Sequence, residues 1–152
     1  MPGLQVRSLK DDELTLAYPL VRSVARVELS RWLGFAHALI AARGGIIGVR
    51  ASGGCLYGAA TFLTRPSLEH ERILEIDLLA AIELGRGSHV ERVLRDRLNV
   101  IARKRGCRAL AYRMAGSKRP EAAEDDKLAH HLVVIERAVS PASAKPGASA
   151  QG

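Results

Sequence analysis

The hydrophobic pattern divides the chain into blocks of two periods. Residues 4–9 (LQVRSL) alternate weakly and predict a short first strand. Asp11 or Asp12 then offers an N-cap, with Glu13 in the first turn to complement the helix dipole. Leu14, Ala17, Val21, Val24 and Ala25 recur at three- and four-residue spacing, which predicts a helix to about Val27. Pro19 falls inside it and removes one backbone hydrogen bond, so a kink or a late start is expected. A second helix is predicted from about Leu29 to Arg43, with Leu29, Leu33, Ala36, Leu39 and Ile40 as its apolar face and Gly44-Gly45 ending it. Trp32, the single tryptophan, fits helix packing better than a substrate cleft. Ile46–Arg50 and Cys55–Thr64 predict a hairpin about the turn Ala51-Ser52-Gly53-Gly54, and Arg65-Pro66-Ser67 breaks its second arm.

The stretch from Arg72 to Met114 organises the rest. It holds an apolar run (Ile73–Ala81), a Gly/Arg turn and a long amphipathic helix; a glycine stop at Gly106 and a second apolar run (Arg108–Met114) follow. The near-continuous apolar character of the first run predicts a strand buried on both faces. In the helix, Val90, Val93, Leu94, Leu98, Ile101 and Ala102 share one face, while Arg92, Arg95, Asp96, Arg103 and Lys104 line the other. A strand–turn–helix of this kind presents backbone N–H groups and a helix N-terminus to an anion, usually a phosphate. The reading from residues alone is therefore a phosphate-bearing cofactor at this turn. Beyond it, a short helix is predicted near Glu121–Lys127 and a last strand over 132–139 (LVVIERAV). The division expected is a domain over 1–139 and a Pro/Ala/Ser/Gly tail over 140–152 with too little apolar surface to fold.

Charge narrows the picture. The net charge is +7, and the segment Glu83–Arg108 alone carries eight Arg/Lys against three Asp/Glu. Concentration on one helix and its turn suits a phosphate-rich ligand as well as it suits a nucleic acid. With one Trp, three Tyr and two Phe there is no stacking platform for single-stranded bases, so nucleic-acid binding is disfavoured. No apolar run is long enough to span a membrane, and the N-terminal residues lack a secretory h-region, so a cytoplasmic location is expected. Cys55 and Cys107 read as small buried thiols, and the five histidines show no ligand spacing, so no metal is expected.

The element order helix–helix–hairpin–strand–turn–helix–strand–helix–strand resembles the GNAT superfamily of N-acetyltransferases, over roughly residues 4–139. ARKRGCRAL (102–110) is similar to that family's helix-end and strand signature, and LAYPLVRSV (16–24) resembles a bacterial subgroup of small members. The fold this implies is a single α/β domain with a mixed, mostly antiparallel sheet of six to seven strands and about four helices.

The resemblance implies an acetyl-CoA site. A strand like Ile76–Ala81 splays from its neighbour and pairs with the pantetheine arm, which assigns Leu78, Leu79 and Ala80 to the cofactor. The turn cradles the pyrophosphate, which assigns Gly85, Arg86, Gly87, Ser88 and His89. The family's Arg/Gln-x-x-Gly-x-Gly/Ala pattern fits in two registers. One uses Gly85-Arg86-Gly87 and puts Ile82 at the Arg/Gln position; the other uses Arg86 and puts His89 and Glu91 where the glycines belong. Aligned on Glu121-Ala122, the family's general-acid Tyr is replaced by Asp126, and Tyr112 on the next strand is a poor substitute.

Candidate bases are Glu75 and Asp77, two residues apart on one strand and so on one face; pairing with a nearby Arg is the alternative role. The function implied is acetyl-CoA-dependent N-acetylation of an amine acceptor, on a small molecule or a protein. The alternative is a GNAT-fold protein that binds CoA weakly or not at all and serves as a regulatory or interaction module. A homodimer is common among proteins of this kind.

Overall fold

The computed structural model describes residues 3–51, 54–82, 89–115 and 131–137. The predicted turn at 83–88, the short helix near 121–127 and the tail at 140–152 lie outside them. Seven strands form one sheet: β1 (Gln5–Ser8), β2 (Gly45–Arg50), β3 (Leu56–Ser67), β4 (Glu71–Ile76), β5 (Leu79–Ala81), β6 (Ala109–Ala115) and β7 (His131–Arg137). Their order is β1-β2-β3-β4-β6-β7, with β5 continuing the line of β4 along β3. Every pair is antiparallel except β4 with β6, which the helix between them makes parallel.

The helices are α1 (Leu14–Val24), α2 (Leu29–Ala41) and α3 (Val90–Lys104). They cover both faces of the sheet. α1 and α2 bury Leu14, Ala17, Leu20, Val21, Trp32 and Ala36 against Ile46, Ala59, Leu78 and Ala80. On the other face, α3 buries Val90, Leu94, Leu98 and Ala102 against Ile47, Ala60, Phe62, Leu74, Ile76, Leu110 and Tyr112. That stripe is the i, i+4 ladder expected of the helix, and Gly106, at φ 72°, ends it as predicted. Arg72 fastens the helix end to the sheet. Its carbonyl accepts from the Arg108 N–H at 2.9 Å, and its guanidinium donates to the Arg105 carbonyl at 3.0 Å.

The first helix starts late, as expected, with Pro19 inside it, and differs from its prediction in two ways. Asp11–Glu13 form a 3₁₀ turn, so α-geometry begins at Leu14. Neither aspartate caps it. Glu13 instead reaches back to accept the Lys10 backbone N–H at 3.0 Å, and its carboxylate also pairs with Arg7 and Arg50. The helix stops at Val24 rather than Val27, because Ala25 is already extended and the Val27 carbonyl accepts the Tyr18 hydroxyl at 2.8 Å. α2 ends in a left-handed step on Arg43, at φ 68°, rather than on a glycine. Trp32 is buried and donates its indole N–H to the Leu14 carbonyl at 2.8 Å, which ties α2 to the first turn of α1.

β3 does not break at Pro66. It runs on to Ser67, with Pro66 opposite Arg72 of β4. The pairing of β2 with β3 reaches only to Phe62, so the proline sits where its missing N–H removes no bond to that neighbour. Cys107 is buried as expected, and that burial pushes its thiol pKa up; Cys55 is exposed instead, beside the hairpin turn.

Candidate active site

The apolar run predicted as one strand, Ile73–Ala81, is two. β4 ends at Ile76, β5 begins at Leu79, and the alternation of side chains slips between them. Leu74 and Ile76 face α3, whereas Leu78 and Ala80 face α1 and α2. Ile76, Asp77 and Leu78 stand opposite only Thr61 and Phe62, so one residue is extra, a β-bulge. Thr61 closes it from β3. Its N–H donates to the Leu78 carbonyl at 3.0 Å, and its hydroxyl accepts the Leu78 N–H at 3.0 Å. Thr61 is fully buried, one of two buried polar side chains among the described residues, and the sequence reading did not single it out.

The bulge redirects the chain away from β6. The parallel pairing ends at Ile76 opposite Tyr112, and β5 pairs with β3 alone among the described residues. A wedge opens there. Ile82 N–H donates to the Tyr57 carbonyl and Leu78 is held by Thr61, so Leu78, Ala80 and Ile82 turn their backbone groups toward β3. By the alternation of an antiparallel ladder, Leu79 and Ala81 present theirs to the wedge. Of the three strand residues assigned to the cofactor, Leu79 therefore offers its backbone, while those of Leu78 and Ala80 belong to β3. Ala81, not in that set, joins Leu79.

α3 points its N-terminus at the same end of the sheet. Its first turn rests directly on β3 at Gly58, where an added Cβ would lie 2.6 Å from Val90 Cγ1 and 3.0 Å from Leu94 Cδ1. His89 is the N-cap residue and its side chain makes no capping bond. Glu91, in the first turn, is paired with Arg95 at 3.1 Å, which offsets its charge there. Arg95 also lies over the Tyr112 ring, 4.4 Å from its centroid, and Tyr112 is buried in the α3-side core. Of the five turn residues assigned to the pyrophosphate, Gly85, Arg86, Gly87 and Ser88 lie outside the described residues.

Glu75 and Asp77 both lie on the α1/α2 side, as their spacing predicted, and an arginine holds both. Arg113 of β6 approaches Glu75 at 3.6 Å and Asp77 at 3.3 Å. Glu75 is further clamped by Arg65, which donates to both carboxylate oxygens at 2.9 and 3.2 Å. Asp77 lines a cavity of about 200 Å³ with Val21, Ala25, Val27, Arg31, Trp32, Phe35 and Leu78. Trp32 thus serves both the packing predicted for it and this cavity wall. The signal that could have found Arg113 was a lone charge within the apolar strand ALAYRMA, in register beside Glu75 and Asp77.

Among the described residues there is no cluster of His, Cys, Asp or Glu arranged to hold a metal, and no helix long and apolar enough to cross a membrane.

No family profile matches the chain, and no curated protein matches it in sequence. Solved structures do match. The aminoglycoside 6′-N-acetyltransferase of Acinetobacter baumannii superposes with a TM-score of 0.65 at 14% identity, covering 84% of this chain and 85% of its own. An N-acetyltransferase of Staphylococcus aureus Mu50 gives 0.63 at 18% identity over 76% of each chain. A putative acetyltransferase of Salmonella typhimurium, solved with acetyl-CoA, gives 0.61 at 14% identity, over 76% of this chain and 72% of that one. With its wedge between β5 and β6 and α3 starting at the mouth of it, the chain has the GNAT N-acetyltransferase fold.

Proposed function

We propose that this protein is an acetyl-CoA-dependent N-acetyltransferase acting on an amine of a small molecule or a protein. The observation that carries the reading is the edge of β5, where Leu79 and Ala81 offer main-chain groups that no other described strand pairs to the wedge beside the N-terminus of α3. An extended amide-bearing arm can pair there as an added strand. The helix N-terminus favours the negative charge of a diphosphate, and the Glu91–Arg95 pair lessens the repulsion that Glu91 alone would exert.

When bound, acetyl-CoA supplies an activated acetyl thioester. The Leu79 N–H polarises its carbonyl oxygen. The acceptor amine enters the cavity between α1, α2 and the bulge. Asp77, the carboxylate that lines this cavity, takes the ammonium proton directly or through water. The amine nitrogen then bonds to the acetyl carbon as the carbon–sulfur bond breaks, the nitrogen sheds its second proton to solvent, and solvent protonates the departing thiolate. Glu75, with both oxygens engaged by Arg65, orients Arg113 and through it Asp77.

Calorimetric titration with acetyl-CoA tests the reading. Saturable binding with a thermal shift is expected, followed by thiol release over a panel of amines. No heat and no shift at millimolar ligand would sink the enzyme and favour a regulatory or interaction role for the fold.

A further inference from the structure

A second pocket lies on the α3 side of the sheet, toward the β1–β2 edge. The C-terminal half of α3 passes over the β1–β2 edge and leaves a cavity of about 240 Å³, floored by Ile47, Phe62 and Ile101. Its rim is basic: Arg7, which is paired with Glu13, lines it from β1, and Arg97, Lys104 and Arg105 line it from the α3 side. With Ile101 these last three sit at i, i+4, i+7 and i+8, one flank of the helix beside the buried stripe. The pocket's nearest helical lining residue, Arg97, stands about 10 Å of helix from Val90 in the first turn of α3.

Among the described residues, Arg97 and Arg105 bond only to neutral groups. Arg97 donates to the Val6 carbonyl at 3.4 Å. Arg105 donates to the Arg43 carbonyl at 2.6 Å and lies over the Phe62 ring, 5.0 Å from its centroid. Among the described residues, no carboxylate lies within ion-pair range of Arg97, Lys104 or Arg105; the nearby Glu13 is taken by Arg7 and Arg50. The helix dipole accounts for a cation in the last turn, such as Lys104, but not for Arg97 two turns earlier. A concavity lined by one sign of charge over an apolar wall focuses the field on whatever enters it.

We propose that this pocket binds an anion carried on an apolar or planar body, a phosphate monoester or a carboxylate. The head group pairs with Arg97 and Lys104, and the body lies against Ile47, Phe62 and Ile101 beside the stacked Arg105. Ser8, also on the lining, adds a hydroxyl donor at the β1 side.

The test is an NMR titration of the full chain at low salt with phenyl phosphate, benzoate and inorganic phosphate, in the presence of CoA so that any phosphate site at the wedge is already filled. Saturable shifts are expected at the amides of Ile47, Ile101 and Arg105. The apolar floor predicts that phenyl phosphate binds about tenfold tighter than inorganic phosphate. Phenyl phosphate against benzoate tells which head group the rim prefers. Arg97→Gln with Lys104→Gln should weaken binding by about tenfold or more, and Ile101→Glu should abolish it. Arg103→Gln, an exposed cation on the outer face of α3, should leave it unchanged. The proposal falls if no ligand saturates in the millimolar range, or if Arg103→Gln weakens binding as much as the double substitution. It also falls if a short DNA duplex moves the same resonances and is equally weakened by Arg103→Gln, because the helix is then a diffuse basic surface.

Discussion

Thr61 holds Leu78 by both of its backbone groups, giving its N–H to the Leu78 carbonyl and taking the Leu78 N–H on its hydroxyl, each at 3.0 Å. That clasp fixes the slip between β4 and β5 and so fixes which backbone groups face the wedge. Thr61→Val keeps the shape and removes the acceptor, leaving a buried N–H unpaired. The expected loss is about 1–3 kcal/mol in urea unfolding. Acetyl-CoA affinity should fall with it, and Thr61→Ser should recover most of both. Equal behaviour of the Val and Ser variants would show that the hydroxyl is not what holds the bulge.

Asp77 and Glu75 should separate in kinetics. Asp77→Asn is expected to lower kcat by about a hundredfold or more, the range of a positioned base. Glu75→Gln should cost less than about tenfold, because it acts on the reaction only through Arg113. The reverse ranking would move the base to Glu75.

Gly58→Ala should disturb α3 from beneath. The new methyl meets Val90 Cγ1 at 2.6 Å, and a β-branched side chain has little freedom to turn away. A destabilisation of about 1–3 kcal/mol is expected. Hydrogen exchange should localise it to the first turns of α3, and calorimetry should show weaker acetyl-CoA binding. Unchanged exchange at Val90–Leu94 would mean that the strand, not the helix, gives way.

Glu13 makes stability depend on acid. The Lys10 N–H bond is the largest influence and, with Arg7 and Arg50, lowers its pKa against the opposing pull of burial. A carboxyl whose folded pKa lies below its unfolded one stabilises the fold fully above the unfolded value, near about 4.3. The contribution is then lost as pH falls through the folded value. Glu13→Gln should therefore cost about 2 kcal/mol at neutral pH, toward the low end for an ion cluster with one half-exposed partner, and flatten the acid limb of the stability curve. Thermal unfolding from pH 7 down to pH 3 checks this, and parallel curves for both proteins would refute it.

Much of this fold was legible because its periods are strong. α3 repeats every fourth residue from Val90 to Ala102, and Gly106 marks its end, so helix and crossover could be read directly. The bulge could not. Leu78 and Leu79 are both apolar, so a slip from one face to the other leaves no trace in the pattern. Thr61 lies in AATFLT, where a threonine is an ordinary strand residue, and only the partner strand reveals its second bond. The placement of Glu75 and Asp77 on one face was readable from spacing, whereas the clamp on them comes from Arg65 and Arg113 on two other strands. Likewise, α1 was read as capped by an aspartate because local rules favour one, while the tertiary pairing of Glu13 with Arg7 and Arg50 decides how it starts.

The single parallel pair, β4 with β6, has a consequence for how the chain assembles. All the antiparallel contacts from β1 to β4, except the reach from β1 to β2 over the first two helices, close short loops between sequence neighbours. β6 meets β4 only across a long crossover that contains α3 and carries the chain back over the sheet. Loop closure of that length is slower than zipping a hairpin. The wedge is expected to be completed late in folding, on a platform of β2, β3 and β4 already in place. In pulse-labelling hydrogen exchange, the amides of Gly45–Arg50 should gain protection before those of Ala109–Tyr112; the opposite order would show that the crossover forms first.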